Sequence, residues 1–200
     1  MSQVKSRREM YSEATRASLL EEATALFAER GYAGTSLEDV AAASQVTRGA
    51  VYHHFAGKQA LFEAVLDLQE TRADADIVAA ATAADPWEAA LLALDAFLNQ
   101  CCDPTYGRLV WLEGPAALGW HRWRECEEKY AYAIVERFIH GLIDGGYIAD
   151  NAVDTQVRFA FWILGGAGLA LAEAAEADRP RLREEWGNLI RQTITAMRIR

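Results

Sequence analysis

From residue 35 to residue 58, apolar side chains recur at the three- and four-residue spacing of an α-helix, with one interruption at residues 44–46. The apolar positions are Leu37, Val40 and Ala41 before the interruption and Val51 and Phe55 after it. Thr35 followed by Glu38 fits a capping box for the first helix, and Thr47 is placed to cap the second. The pattern therefore predicts two short helices around a tight turn, a helix-turn-helix.

The second of these helices carries polar side chains on the face opposite its apolar one. Arg48 and Tyr52 are four residues apart and share that face, with Gly49 and His53 beside them. A helix-turn-helix lays such a helix in the major groove of DNA, and the small Gly49 lets it approach closely. Lys58 follows where an ammonium can meet a phosphate. This face is therefore predicted to bind DNA.

The residues around the motif match a known family at fixed offsets. The matching residues are Leu26-Phe27, Arg30-Gly31-Tyr32, Thr35-Ser36, Val40-Ala41, Val51-Tyr52-His53-His54-Phe55, Lys58 and Leu61. On these residues the segment 23–61 resembles the DNA-binding domain of TetR/AcrR-type transcriptional regulators. The resemblance implies an all-α protein of about nine helices. A three-helix DNA-binding domain is expected over 1–58, and a larger helical domain that binds a ligand and dimerises over 59–200.

The resemblance also implies roles for individual residues on the DNA side. It implies that Arg48 reaches base edges and that His53 contacts either bases or backbone. It implies phosphate contacts by a further group, namely Thr35, Thr47, Tyr52, His54 and Lys58. Together with Ser36 and Gly49, these residues form the predicted DNA-binding set.

Capping residues and prolines predict where other helices begin. The first helix is expected to run from an N-cap at Ser12 to Arg30. Asp85-Pro86 and Asp103-Pro104 each combine a cap with a proline at the first helical position, and so predict two helix starts.

The same residue types predict two breaks further along the chain. Gly114-Pro115 is expected to end the short helix that begins after Asp103. Arg179-Pro180 is expected to separate the last two helices, which should cover about 153–177 and 181–198.

The net charge of −9 is unexpected for a protein that binds DNA. Residues 1–60 are neutral, however, because their basic and acidic residues are equal in number, so the whole charge lies beyond residue 60. Lys5, Arg7 and Arg8 form a basic start to the chain that either contacts DNA or is simply solvated. The acidic remainder is expected to orient the protein by repulsion from the duplex.

Composition favours a soluble cytoplasmic protein. A hydrophobic content of 52% is enough for a core. The polar start lacks the apolar region of a secretory signal, and the apolar segment 159–171 is too short to cross a bilayer. The three cysteines, which include the adjacent Cys101 and Cys102, form neither a disulfide framework nor a CxxC motif. We expect no membrane partner and no cofactor.

Two segments of the second half suggest a dimer interface and a ligand pocket. The penultimate helix is apolar nearly all round and rich in glycine, which favours close helix packing. We predict a four-helix homodimer interface that includes Trp162, Gly165, Gly166, Leu169, Trp186, Leu189, Ile190 and Thr193, the alternative being an internal monomer core. The predicted ligand-binding residues are Tyr106, Trp111, His121 and Trp162, for which ordinary core packing is the alternative.

The sequence thus predicts a ligand-released repressor that binds a palindromic operator as a homodimer, with a small apolar or aromatic effector. One alternative is a DNA-binding factor that works without an effector. Another is a helical enzyme using Glu113 and His121, but no nucleophile, phosphate-binding or metal motif accompanies them. No metal is expected at His53 and His54, because adjacent residues of a regular helix cannot face one ion.

Overall fold

The structure, a computed structural model, describes residues 6–199, and these fold into nine helices. The helices are α1 (Arg7–Arg30), α2 (Leu37–Ala43), α3 (Arg48–His54), α4 (Lys58–Ala80), α5 (Pro86–Cys101), α6 (104–118), α7 (120–144), α8 (Val153–Glu173) and α9 (Arg179–Ala196). The prediction of an all-α fold that begins with a three-helix helix-turn-helix domain is confirmed.

Two of the helices contain a π-helical segment. In α6 it covers Gly107–Glu113, and in α7 it covers Glu128–Tyr132. The Gly114 N–H accordingly donates to the Leu109 carbonyl, five residues back. A π turn widens a helix locally and is frequent at functional sites.

The chain divides into two compact units between Asp67 and Leu68. We call the part up to residue 67 the N-terminal unit and the part from residue 68 the C-terminal unit. The boundary predicted at Lys58 is the first residue of α4, which contains the division.

The core of the N-terminal unit comes from one apolar side of each helix. Leu19 and Phe27 of α1, Val40 of α2 and Val51 of α3 are fully buried. The Phe27 ring meets the Phe62 ring edge to face, with centroids 5.1 Å apart. The inward positions predicted from helical spacing are therefore confirmed.

Helix α1 begins earlier than its predicted N-cap at Ser12. Its N-cap is Ser6, whose hydroxyl accepts from the Glu9 N–H at 3.3 Å while the Glu9 carboxylate accepts from the Ser6 N–H at 2.7 Å. This reciprocal box satisfies two of the free N–H groups at the helix start. Arg7 and Arg8 therefore form the first turn of α1 rather than an arm, and Lys5 lies outside the described residues.

The cap of α2 is also displaced from its predicted position, here by one residue. Ser36 and Asp39, not Thr35 and Glu38, form the capping box. The Thr35 hydroxyl instead donates to the Leu26 carbonyl at 3.2 Å and the Gly31 carbonyl at 3.0 Å. Thr35 thus ties the start of α2 to the end of α1, and its side chain is buried.

In the C-terminal unit, both predicted Asp-Pro helix starts are confirmed. Asp85 Oδ1 accepts from the Glu88 N–H at 2.9 Å at the start of α5. Asp103 Oδ1 accepts from the Tyr106 N–H at 2.8 Å at the start of α6.

The prediction that Gly114-Pro115 ends α6 is wrong. The helix continues to Leu118 and stops at Gly119, which has a φ of 76°. A Cβ on Gly114 would lie 2.6 Å from Trp123 Cδ1, so this glycine is required by the close approach of an indole rather than by a helix end. Pro115 is tolerated because the π segment has already displaced the backbone hydrogen bonds there.

Arg179-Pro180 belongs to α9 and does not precede it. Pro180 occupies the first turn, where its missing N–H would have no helical partner. The Arg179 guanidinium donates to the Leu171 and Ala174 carbonyls, each at 3.2 Å, and so satisfies the end of α8. This explains why α8 ends at Glu173, four residues before its predicted end.

Helix α8 packs against α5, α6, α7 and α9. Gly168 permits the closest contact, because a Cβ there would lie 2.4 Å from Trp111 Cζ2 on α6. Among residues 6–199, α8 alone is long and apolar enough to cross a bilayer, with a mean hydropathy of 1.2. Packing on four neighbours within the unit is an alternative use of that apolar surface.

Candidate nucleic-acid interface and ligand cavity

Helix α3 presents the predicted DNA-binding face to solvent. Thr47 is its N-cap, as predicted, and its hydroxyl accepts from the Ala50 N–H at 3.3 Å. Val51 points into the core, which turns Arg48, Gly49 and Tyr52 outward, together with His53. A Cβ on Gly49 would meet only the Thr47 hydroxyl, at 3.8 Å, so this surface is open.

The Arg48 guanidinium is held by two neighbours. It forms an ion pair with Glu38 of α2 at 2.8 Å and donates a hydrogen bond to the Tyr52 hydroxyl at 3.1 Å. Its carbon also lies 5.3 Å from the centroid of the Tyr52 ring. An ion pair this exposed adds little to stability, but the three contacts orient a group with paired donors that suits the guanine edge.

A shallow cleft beside α3 brings together three further predicted residues. It is lined by residues 33–39 and 56–58 with Tyr52, and so contains Thr35, Ser36 and Lys58. The Lys58 ammonium lies 4.3 Å from the centroid of the Tyr32 ring and donates to the Ala33 carbonyl at 3.5 Å. The exposed Lys58 ammonium suits a contact to a phosphate, whereas the Ser36 hydroxyl already bonds the N–H and the carboxylate of Asp39.

Thr35 and His54 are less suited to the phosphate contacts implied for them. The Thr35 hydroxyl is buried and donates to two carbonyls of its own unit. His54 is half-buried, and burial, with smaller effects from His53 and Arg16, lowers the pKa of its ring. A ring with a lowered pKa is mainly neutral near neutral pH and so offers a phosphate no charge.

The C-terminal unit encloses a cavity of about 150 Å³. Its wall is formed by α4, α5, α6, α7, α8 and α9 and is mainly aliphatic and aromatic. Three of the predicted ligand-binding residues, Tyr106, Trp111 and Trp162, lie in this wall. His121 does not, because it is exposed near the start of α7.

The cavity wall also contains three carboxylates that sequence reasoning missed: Glu70, Asp74 and Glu127. The Tyr106 hydroxyl donates to Glu70 Oε1 at 3.1 Å. Burial, together with the charges of Glu70 and Asp74, raises the pKa of Glu127 well above its usual value. Burial also raises the pKa of Asp74, and Arg137 partly opposes that shift.

One sequence signal marks Glu70. It is followed at three and seven residues by Ala73 and Ile77, which are buried on the same side of α4. A glutamate in line with buried apolar residues is the pattern that would have found it. Glu127 lies in a charged run, residues 124–129, and such a run normally predicts a solvated surface.

Some of the residues predicted for the dimer interface are exposed on α8 and α9, and others face the interior of the C-terminal unit. Trp162, Leu169 and Leu189 have 43%, 42% and 57% of their surface exposed. Ile190 is buried within its own protomer, and Ile190, Thr193 and Gly165 line the cavity. Gly166 faces the Trp186 ring, which lies 3.8 Å from where its Cβ would be.

The adjacent Cys101 and Cys102 are poorly suited to react as thiolates. Burial raises the pKa of Cys101 well above its usual value, and it also raises the pKa of Cys102. The reactive thiolate form is therefore disfavoured at both positions.

Two family models match this chain. Residues 19–65 match the model described as "Bacterial regulatory proteins, tetR family". Residues 87–197 match the model described as "Tetracyclin repressor-like, C-terminal domain".

Individual relatives agree with these matches. The Transposon Tn10 TetC protein of Escherichia coli is 27% identical over 140 residues, which cover 70% of each chain. A helix-turn-helix transcriptional repressor of Mycobacterium tuberculosis is 47% identical over 70 residues, covering 31% of this chain and 37% of that one. The crystal structure of a TetR-family transcriptional regulator from Pectobacterium atrosepticum aligns with a TM-score of 0.82 and 28% identity over 98% of this chain and 99% of the other.

Proposed function

The chain belongs to the tetR family of bacterial regulatory proteins, and from this membership we propose that it is a homodimeric repressor that releases a palindromic operator when a small effector binds. Members of this family are DNA-binding transcription factors and not enzymes. The protein is accordingly a helix-turn-helix transcriptional regulator. A DNA-binding role also favours the cytoplasmic location expected from its composition.

The observation that carries the DNA-binding part is the outward face of α3. Val51 anchors this helix in the core, while Arg48 is oriented by Glu38 and Tyr52. In the proposed complex Arg48 contacts base edges, and Lys58 and Ser36 contact the backbone. Docking requires Arg48 to exchange Glu38 for a base, at little cost because the ion pair is exposed.

Exposed apolar residues on α8 and α9 support the homodimer. Phe159, Trp162 and Leu169 follow one another along α8 at helical spacing, and Leu189 lies on α9. Large exposed apolar residues grouped in this way are typical of an interaction surface. A dimer presents two α3 helices about one helical turn of DNA apart, which is why a palindromic operator is proposed.

The operator can be tested directly. Purified protein is mixed with sheared genomic DNA at moderate salt, and the retained fragments are sequenced and footprinted. We expect a few fragments that share an inverted repeat with half-sites about 10 base pairs apart. Retention of all fragments alike would contradict sequence-specific regulation.

The dimer has its own matched test. Leu189→Glu places a charge on the exposed apolar surface, and Asn188→Glu places the same charge on the neighbouring exposed residue. We expect light scattering to show a monomer for the first variant only, with operator binding weakened in parallel. If both variants remained dimeric, the proposed interface would be contradicted.

The effector is proposed to occupy the cavity of the C-terminal unit. It releases DNA only if it binds the low-affinity state of the protein more tightly than the high-affinity state. Ligands that raise the thermal midpoint are then tested for release of the footprinted operator. Binding to the operator that no ligand changes would favour the effector-independent factor instead.

A further inference from the structure

The cavity has an uneven distribution of charge. The side chains that line it, all of them among the described residues, include three acids and no lysine, arginine or histidine. The remaining wall is largely aliphatic and aromatic. An ionised carboxylate is strongly disfavoured in such surroundings unless a positive partner arrives.

Glu127 is the least satisfied of the three acids. Only 4% of its surface is exposed, and the causes of its raised pKa are burial and the charges of Glu70 and Asp74, with no hydrogen bond or positive charge opposing them. Its nearest electrostatic neighbours are Glu70, Asp74, Tyr106 and Cys101, all of which are acids. Tyr106 cannot serve as its donor as well, because the Tyr106 hydroxyl is already committed to Glu70.

A second unsatisfied acceptor lies in the same wall. Gln156 Oε1 is buried without a hydrogen-bond partner. The Gln156 amide nitrogen is occupied by the Ala149 and Asn151 carbonyls, at 2.9 Å and 2.6 Å. The cavity wall therefore combines acidic groups and an unsatisfied acceptor with one unsatisfied donor, Trp111 Nε1. A cationic ligand with N–H donors would complement the acids and the acceptor.

We propose that the effector of this protein is a small organic cation, an ammonium group on an apolar body, whose charge is neutralised by Glu127 and Glu70. This inference rests on the proposed ligand-released function. A volume of about 150 Å³ accommodates one benzene-sized ring. No group of three or more His, Cys, Asp and Glu within the described chain is arranged to hold a metal ion. An organic ammonium therefore fits this cavity better than a metal ion does.

Binding of the proposed cation should release a proton from Glu127, and this release can be measured. Burial and the charges of Glu70 and Asp74 raise the pKa of Glu127, which favours its protonated form in the empty cavity. An entering ammonium favours the carboxylate, so binding releases a proton to solvent. The groups around this proton are Glu70 and Asp74 of α4, Cys101 of α5 and Tyr106 of α6, with Arg137 acting on Asp74.

The test compares three ligands of similar shape and different charge. Benzylamine, benzyl alcohol and benzoate are titrated into the full-length dimer by calorimetry at pH 8, each in two buffers of different ionisation enthalpy. Butylamine and cyclohexylmethylamine extend the amines to other apolar bodies. We expect an amine to bind at least about tenfold more tightly than benzyl alcohol, with proton release, and benzoate not to bind.

Glu127→Gln and Glu125→Gln form a matched pair of variants. Both replace one carboxyl group of α7 by an amide, but Glu125 is exposed and pairs with Arg122 on the surface. We expect Glu127→Gln to abolish the preference for amine over alcohol and the proton release. Glu125→Gln should change neither.

Three outcomes would overturn this inference. Equal binding of alcohol and amine would mean that the effector is neutral, and it would leave the ligand-released repressor standing. If no amine bound while operator binding was intact, the proposal that the effector is an organic cation would be contradicted. If Glu127→Gln kept the preference for amine over alcohol, a residue other than Glu127 would have to bind the ammonium group. Loss of operator binding by the wild type would instead contradict the proposed function itself.

Discussion

The two units treat charged side chains in opposite ways. In the N-terminal unit, the Arg48–Glu38 ion pair lies in solvent, with side chains 61% and 53% exposed. In the C-terminal unit, Glu127 is enclosed by apolar residues and other acids. The exposed pair is nearly neutral for folding, whereas the buried acid is costly to ionise.

In the N-terminal unit, the residues proposed to bind DNA therefore contribute little to stability. In the C-terminal unit, the residues proposed to bind a ligand also affect stability. Side chains on the outward face of α3 can change without disturbing the core that holds the helix. Changes in the cavity wall alter the folding free energy at the same time as the affinity for a ligand. We therefore expect DNA specificity to be mutable at low cost and ligand specificity to be tied to stability.

The largest expected effect breaks the packing of the C-terminal unit. Gly168→Ala places a Cβ 2.4 Å from Trp111 Cζ2, so the buried indole must shift from its packed position. The overpacking should destabilise the protein by about 1–3 kcal/mol. Gly165→Ala is the control, because its Cβ would lie 3.9 Å from Trp111, and helix propensity should then add up to about 1 kcal/mol of stability. Denaturant unfolding that gives the two variants equal stability would refute this assignment.

The second prediction is that a mutation of a buried residue, Glu127→Gln, stabilises the protein, whereas most core mutations destabilise it. The folded state holds the Glu127 proton above the usual pKa of 4.5, so between that value and the raised pKa it binds more protons than the unfolded state. Stability is therefore present at low pH and lost as pH rises through this window. Glu127→Gln removes the loss and should stabilise the protein at pH 8 by roughly 1–3 kcal/mol.

Thermal midpoints of wild type and Glu127→Gln from pH 4.5 to 8.5 measure this effect. The gap between them should widen as pH rises, by about 2–4 °C for each kcal/mol in a chain of this size. A gap that is constant or narrows would mean that Glu127 is ionised and satisfied in the free protein. A stabilised variant also shows that any loss of ligand binding is not a folding defect.

On the DNA side, Arg48→Ala should reduce discrimination between the operator and random DNA by about 1–3 kcal/mol. Lys58→Ala should weaken binding to both DNAs alike and lower the salt dependence by about one charge. Neither variant should shift the thermal midpoint, since both side chains lie outside the core. Equal losses on the two DNAs for Arg48→Ala would contradict its assignment to bases.

The smallest expected effect concerns the cap of α2. Ser36→Ala removes the hydroxyl that accepts from the Asp39 N–H, while the backbone N–H of residue 36 can still donate to the Asp39 carboxylate, and the change should cost about 1 kcal/mol. Ser44→Ala, at the other end of α2, should be neutral or slightly stabilising, because the Ser44 hydroxyl is buried without a partner. Unfolding curves that show equal losses would place the cap elsewhere.

Features set by neighbouring residues could be predicted from the sequence. The Asp-Pro helix starts, the Thr47 cap and the inward Val51 depend on contacts within a few positions. The cap of α2 was misplaced because two overlapping patterns, Thr35–Glu38 and Ser36–Asp39, satisfy the same local rule. The end of α1 decides between them, since its carbonyls accept the Thr35 hydroxyl.

Features set by distant residues could not be predicted. Gly114 was read as a helix end because its reason for being glycine, the Trp123 indole, comes from the next helix. The acids of the cavity were missed for the same reason. Glu127 follows Glu70 by more than fifty positions and lies in a charged run that looks solvated, while Glu70 has only its alignment with Ala73 and Ile77 as a local signal.

The acidic lining of the cavity has a consequence for the compounds that do not bind. A carboxylate or phosphate ester entering the chamber would lose its hydration and find no basic group in the described wall to offset its charge. Burying an unpaired anion is costly even where the acids of the wall are protonated. We therefore expect anionic metabolites to bind this chamber poorly without any dedicated barrier, which would narrow the set of compounds that it accepts.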